Sequence, residues 1–219
     1  MRLFLKKITH PFLKLGLQYY YLKPRKYCYQ DICIQVHPDV FPPQMTFSTK
    51  ILLDFVDTID LKDKKFLELG CGSGIISLLA SKKEAKVTAS DINQTALDFL
   101  EKNTTQNQLD VQTVFSDLFQ NLNGQTFDCI VINPPYYPRE PKNVKEQAWF
   151  CGEDFEYFEK LFAQLPHFLK SAQCFMILSQ DCDLKKIKAI ALKNTMTFEL
   201  VVEKREMVET NYIFRIVSS

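Results

Sequence analysis

The sequence predicts an α/β protein: a doubly wound, seven-stranded, mostly parallel sheet with helices on both faces and an antiparallel C-terminal strand. Three observations carry this. Short apolar runs bounded by turn residues alternate with segments of helical period. A glycine-rich turn, Gly70-Cys-Gly-Ser-Gly74, joins one such run to a helical segment. A second run, Cys129 to Ile132, stops abruptly at Asn133-Pro134-Pro135.

Residues 2–22 read as a basic, partly amphipathic helical segment broken near Pro11 and Gly16, in which Tyr19, Tyr20 and Tyr21 either stack on bases or pack on the main domain. Tyr27 to Val36 alternates as one or two short strands. His37-Pro-Asp-Val-Phe-Pro-Pro43 is a stiff loop leading into a helix over 48–58, with Ile51, Leu52, Phe55 and Val56 on its buried stripe. Ser48 or Thr49 is suited to cap it. Lys65 to Leu69 is the first core strand, followed by the glycine turn and a helix to about Lys82. Lys86–Ser90, Val111–Phe115 and Phe127–Ile132 are further strands, and Gln94–Thr105 is a helix. Asp154–Leu169 reads as a helix whose last turn Pro166 breaks, then a strand over 174–178, a helix over 184–192, and antiparallel strands over 197–202 and 211–217. Residues 1–45 are expected to form a basic, tyrosine-rich extension and 46–219 the folded domain.

Composition excludes little and locates something. The formal net charge is +1, yet residues 1–30 hold seven of the 27 Lys and Arg residues and no acid. Such a segment suits an anionic partner such as RNA or a membrane face, or is simply a solvated end. Seven cysteines show no paired metal spacing, which favours a reducing compartment, here the cytoplasm. The start lacks a long apolar stretch, so neither a signal peptide nor a membrane span is expected.

The two motifs carry chemistry. Asn133 and Tyr136 fall at a strand's carboxyl end, where open α/β sheets bind ligands. A carboxamide oxygen with a neighbouring backbone carbonyl accepts both hydrogens of a planar –NH2 group, while a tyrosine packs against its plane. The bland alternative is that Asn-Pro-Pro only ends a strand. In the first motif, Ile75 stands where a dinucleotide fingerprint needs its third glycine, and no Gly-Lys-Ser/Thr is present for a P-loop. Glu68 before the turn suits a cationic ligand, Asp91 at the next strand end can accept ribose hydroxyls, and Asp117 can accept from an adenine amino group.

Together these motifs resemble the class I S-adenosylmethionine-dependent methyltransferases carrying Asn-Pro-Pro-Tyr, the small-domain superfamily, over about residues 40–217. The resemblance implies a Rossmann-like fold and S-adenosyl-L-methionine as cofactor. It places Thr46, Thr49, Glu68, Gly70, Cys71, Gly72, Gly74, Asp91, Ile92, Asp117, Leu118 and Asn133 around the cofactor, and Asn133, Pro134, Pro135 and Tyr136 at the acceptor.

Within that class, Val40-Phe-Pro-Pro, Asp91-Ile-Asn93, Ala148-Trp-Phe-Cys-Gly152 and the late Arg205-Glu-Met-Val-Glu-Thr stretch resemble the release-factor glutamine methyltransferases. Those enzymes have Gly-Gly where this chain has Cys151-Gly152, and a larger N-terminal helical domain. The implied acceptor is a protein glutamine, in a release factor or ribosome-associated protein. The alternative is a purine exocyclic amino group in rRNA or tRNA, with the basic arm on the RNA. A non-catalytic cofactor-binding scaffold is the third reading.

Overall fold

The computed structural model describes residues 23–206 and 209–218. The expected N-terminal helical segment and its three tyrosines lie outside them. A hairpin of β1 (Arg25–Tyr29) and β2 (Ile32–Val36) comes first. A 3-10 turn at Pro43–Met45 leads to α1 (Phe47–Thr58). Then follow β3 (Lys65–Leu69), α2 (Ile75–Lys82), β4 (Lys86–Asp91), α3 (Gln94–Asn107), β5 (Gln112–Phe115) and β6 (Cys129–Ile132). The rest comprises α4 (Val144–Gln147), α5 (Glu156–Gln164), β7 (Gln173–Ser179), α6 (Leu184–Lys193), β8 (Met196–Glu206) and β9 (Glu209–Ser218).

The seven-stranded sheet runs β5-β4-β3-β6-β7-β9-β8, with β9 antiparallel to both β7 and β8 and every other pairing parallel. The chain moves outward from β3 to β5, then returns to place β6 on the other side of β3. That reversal opens a crevice beyond the carboxyl ends of β3 and β6. Side chains on the strands alternate between faces. Phe66, Val131 and Ile177 pack with α1, α2 and α3, while Leu67, Ile132 and Met176 pack with α5 and α6. Ile32, Ile34 and Val36 of the hairpin join the first of these clusters.

Two asparagines dock the hairpin. Asn103 and Asn107, four apart and so on one face of α3, each take a backbone N–H of β2 and return an amide N–H to the same residue's carbonyl. Asn103 pairs with Gln35 at 2.8 and 3.0 Å, and Asn107 with Cys33 at 3.2 and 2.9 Å. Cys28 and Cys33, opposite one another in the hairpin register, form a disulfide, which the expectation of a reducing compartment did not include; the other five cysteines are buried thiols.

Several boundaries differ from the sequence reading. The helix expected over 154–169 is α5 plus a 3-10 turn at Leu165–His167, because Pro166 has no N–H for a continuing α-helix. Helix α1 begins at Phe47 with Thr46 at its N-cap position and no side-chain cap bond, so neither Ser48 nor Thr49 caps it. The two C-terminal strands are longer than expected, with a bulge between Leu200 and Val202.

Candidate active site

A cavity of about 370 Å³ occupies the crevice, walled by the loops that leave β3, β4, β5 and β6. The glycine turn forms its floor. Gly70, Gly72 and Gly74 all have left-handed φ, at 73°, 49° and 72°. The N–H groups of Gly70 and Cys71 both donate to the Ser90 carbonyl, at 2.8 and 2.9 Å, which ties the turn to β4. A methyl group added at Gly70 would meet nothing within 4 Å, and Gly70 faces the cavity, so the missing side chain is ligand space. Gly74 is different. It does not line the cavity, and its absent Cβ would lie 2.4 Å from Leu100. The structure therefore assigns Gly74 to helix packing rather than to the floor where the sequence reading put it.

Asp91 braces the turn. Its Oδ2 accepts the Gly72 N–H at 2.7 Å and its Oδ1 the Asn93 N–H at 2.8 Å, while burial pushes its carboxyl above the usual range. Glu68 lies beneath, accepting the Ser77 N–H at 2.8 Å and the Ser77 hydroxyl. Desolvation dominates there and pushes the Glu68 carboxyl up to about 8, against the two Ser77 bonds that lower it; the nearby Asp91 adds to the rise. A cation in the cavity would favour the ionised form of both. Ser90 also lines the cavity with its hydroxyl buried and unpartnered, as expected of a group waiting for a ligand.

Leu118, with φ at 52°, and Asp117 follow β5 and border the same cavity. The Asp117 carboxylate is engaged by Lys160 of α5. Of the remaining expected residues, Thr49, Cys71 and Ile92 line the cavity together with Ser48, whereas Thr46 does not. Thr46 sits at the start of α1, its hydroxyl accepting a bond from Ser48 at 3.2 Å.

Asn133, Pro134, Pro135 and Tyr136 form the opposite wall, where β6 ends. Pro134 and Pro135 bring no N–H to this edge, so beside the Tyr136 hydroxyl its polar groups include the Asn133 side chain and the backbone carbonyls. Tyr136 packs on Tyr137 with ring centroids 4.7 Å apart, and burial raises its phenol well above the ordinary range. The phenol therefore stays neutral and is no base. Tyr137 is bridged to Phe150 and Arg139 to Gly152, so the segment after the prolines folds as a narrow ribbon.

Sequence reasoning placed the 37–43 loop and the helix after it across the mouth of the site, and Val40, Phe41, Ser48 and Thr49 do line the cavity, but it missed what that loop meets. Phe41 and Trp149, both lining the cavity, meet at 4.8 Å, and Lys145 of α4 bonds Asp39 at 3.2 Å, joining two segments about a hundred residues apart. It also missed Tyr157 and Lys160, three apart on α5 and both on the cavity wall. The spacing Tyr-x-x-Lys was visible, but nothing in the sequence says which face of α5 turns toward the site. Among the described residues, no cluster of His, Cys, Asp and Glu is arranged to hold a metal ion.

A parallel sheet reversing at β3/β6, a glycine floor shaped for close backbone approach, buried acids that favour a cation, and Asn-Pro-Pro-Tyr at the next strand end define a class I S-adenosylmethionine-dependent methyltransferase. The cavity fits that cofactor, with room over Gly70 and an unsatisfied hydroxyl at Ser90. The chain belongs to the methyltransferase small domain family, whose profile matches residues 31–160. It is 31% identical over 193 residues to a putative protein N5-glutamine methyltransferase of Methanocaldococcus jannaschii, covering 83% of this chain and 95% of that one. It is 37% identical over 179 residues to the ribosomal RNA small subunit methyltransferase C of Haemophilus influenzae, covering 75% of this chain but 52% of that enzyme, so it spans about half of the rRNA relative. Among solved structures it resembles a chain of the E. cuniculi Mtq2-Trm112 complex responsible for the methylation of the eRF1 translation termination factor, at TM-score 0.64 and 21% identity over 83% of this chain and 99% of that one. The T. thermophilus 16S rRNA N2 G1207 methyltransferase matches at TM-score 0.62 and 16% identity, over 88% of this chain and 50% of that one.

Proposed function

We propose that this enzyme methylates the side-chain nitrogen of a protein glutamine, in a translation termination factor or another ribosome-associated protein. The observation that carries this reading is extent: the glutamine-directed relative is matched along 95% of its length, whereas the rRNA enzyme is matched along about half. Bound S-adenosylmethionine supplies a methyl group activated by its sulfonium. The protein's part is alignment. The Asn133 carboxamide oxygen and the Pro134 carbonyl take the two N–H bonds of the acceptor, so that its nitrogen faces the cavity, and Tyr136 packs against the acceptor plane. Glu68 and Asp91 balance the cofactor's positive charge, and Asp117 faces its adenine. No strong base is required, since the acceptor proton leaves as or after the bond to carbon forms.

A purine amino group in RNA is the second reading, favoured by the seven basic residues and absent acids of segment 1–30. In the RNA reading the basic segment 1–30 meets the phosphates and bases; of the 1–45 extension, Ile32, Ile34, Val36 and Val40 belong to the core of the domain at 46–219. The five buried free thiols fit a cytoplasmic setting, whereas the Cys28–Cys33 disulfide does not add to that support; among the described residues, no helix is long and apolar enough to cross a membrane.

The test is methyl transfer from labelled S-adenosylmethionine into extract of cells lacking this protein, followed by separate protease and nuclease digestion. Label lost to protease and recovered as methylglutamine is the expected result, and label lost to nuclease overturns it in favour of RNA. Asn133→Ala should lower turnover about 100-fold or more while S-adenosylmethionine still binds; turnover near wild type would reject the amine clamp.

A further inference from the structure

Helix α5 holds the loop after β5 at two points, four residues apart on one face. Lys160 engages Oδ2 of Asp117, and the Gln164 side-chain oxygen accepts the Phe119 N–H at 3.1 Å. Between them the loop is bent sharply. Leu118 has a left-handed φ of 52°, which disfavours a residue with a β-carbon. Internal bonds also define it: the Ser116 hydroxyl donates to the Leu118 carbonyl at 2.7 Å, and the Ser116 N–H donates to the Asp91 carbonyl at 2.9 Å. Loop and strand end thus form one rigid corner whose outer side α5 fastens.

The Lys160–Asp117 pair is placed for binding rather than for stability. Both side chains are more than a third exposed, at 37% and 38%, and a pair that open contributes little to folding. Yet both residues line the cavity, beside Tyr157 of the same helix. With Oδ2 held by the ammonium, Oδ1 is the oxygen left to accept a hydrogen bond. The ammonium also offsets the carboxylate's charge, so a neutral base can approach without facing a net negative group.

We propose that Lys160 is a positioning residue for the cofactor's base: it fixes the Asp117 carboxylate so that one oxygen selects a 6-amino purine over a 6-oxo purine. This rests on the assignment of Asp117 to the adenine made above. A 6-oxo ring would set its carbonyl against that oxygen, with no hydrogen to share. Discrimination of this kind depends on the carboxylate being unable to turn away.

The experiment measures calorimetric binding of S-adenosylhomocysteine and S-inosylhomocysteine to the full chain. The wild type is expected to prefer the adenosyl compound. Lys160→Met should weaken S-adenosylhomocysteine about tenfold and narrow the adenosyl-to-inosyl ratio, with an unchanged thermal midpoint, and Lys160→Arg should restore both quantities. A merely structural role would move the midpoint and leave the ratio alone. Asp117→Ala separates the two claims. If Asp117→Ala leaves binding unchanged, the adenine assignment fails and this proposal with it. If Asp117→Ala weakens binding while Lys160→Met stays within twofold of wild type, only the positioning role is overturned.

Discussion

Replacing Gly74 with alanine separates two uses of glycine within one five-residue turn. Gly70 and Gly74 have nearly the same φ, 73° and 72°, so an added Cβ brings a similar backbone penalty at each, about 1–2 kcal/mol. They differ in what that Cβ meets. At Gly70 nothing lies within 4 Å, whereas at Gly74 Leu100 Cδ1 would be at 2.4 Å and Cγ at 2.9 Å. Leu100 is fully buried in the α3 core and has little room to give, which adds the roughly 1–3 kcal/mol typical of overpacking. The sum for Gly74→Ala is about 2–5 kcal/mol, or a fall in melting temperature of roughly 4–20 °C at this chain length. Gly70→Ala should cost only the backbone share, yet abolish measurable S-adenosylmethionine binding because its methyl group fills ligand space. Thermal unfolding with and without the cofactor tests both. If Gly74→Ala melts within a degree of wild type, or if Gly70→Ala binds cofactor normally, the division of labour drawn here is wrong.

Glu68 gives a pH signature. Its folded value of about 8 lies above the ordinary 4.5, so the folded protein keeps a proton that the unfolded chain has released, and this group's contribution lowers stability as pH rises from 4.5 to 8. Glu68→Gln should flatten that part of the melting-temperature profile; identical profiles would show that Glu68 is ionised in the folded state. A cationic ligand reverses the preference, so S-adenosylmethionine binding at pH 7 should release protons, visible as a buffer-dependent calorimetric enthalpy that Glu68→Gln reduces. Asp91→Ala leaves the Gly72 and Asn93 N–H groups without their acceptor, at about 1–3 kcal/mol each, and should lower both melting temperature and cofactor affinity; unchanged affinity would remove Asp91 from the site. Asn107→Ala deprives Cys33 of both its backbone bonds to α3 and should destabilise by about 1–3 kcal/mol, measured by urea unfolding, whereas a loss under a few tenths would show that the hairpin is held by its apolar side chains alone.

Much of this molecule was legible because strand burial leaves a local mark. Leu67 and Val131 belong to short, mostly apolar runs, the first broken only by Glu68 and stopped by Gly70, the second stopped by Asn133-Pro134-Pro135, and such runs locate a central strand and its carboxyl end without any knowledge of partners. The floor of the site and the Asn133 wall follow from that, since they are the residues next along the chain. What the sequence concealed depends on contacts between distant segments. Phe41 meets Trp149, and Lys160 meets Asp117, with nothing local in either partner's surroundings to announce it. Gly74 was misplaced for a related reason: a glycine that admits a ligand and one that admits a leucine look alike until the leucine's position is known. Asn103 and Asn107 read as ordinary polar positions on α3, although they serve as partners for β2.

The strand order also constrains how the sheet is assembled. Among the described residues β8 touches the sheet only through β9, which inserts between it and β7 although it comes later in the chain. No register with β7 is available to β8 alone. β8 can therefore join the sheet only where β9 is available to pair with it, and as the edge strand it can open while the β7–β9 ladder stays closed. Amide exchange should show this as a hierarchy: opening the β7-facing ladder of β9, six residue pairs from Cys174–Ile216 to Ser179–Asn211, detaches β8 from the sheet as well, so the amides of β8 should exchange at least as readily as those β9 presents to β7.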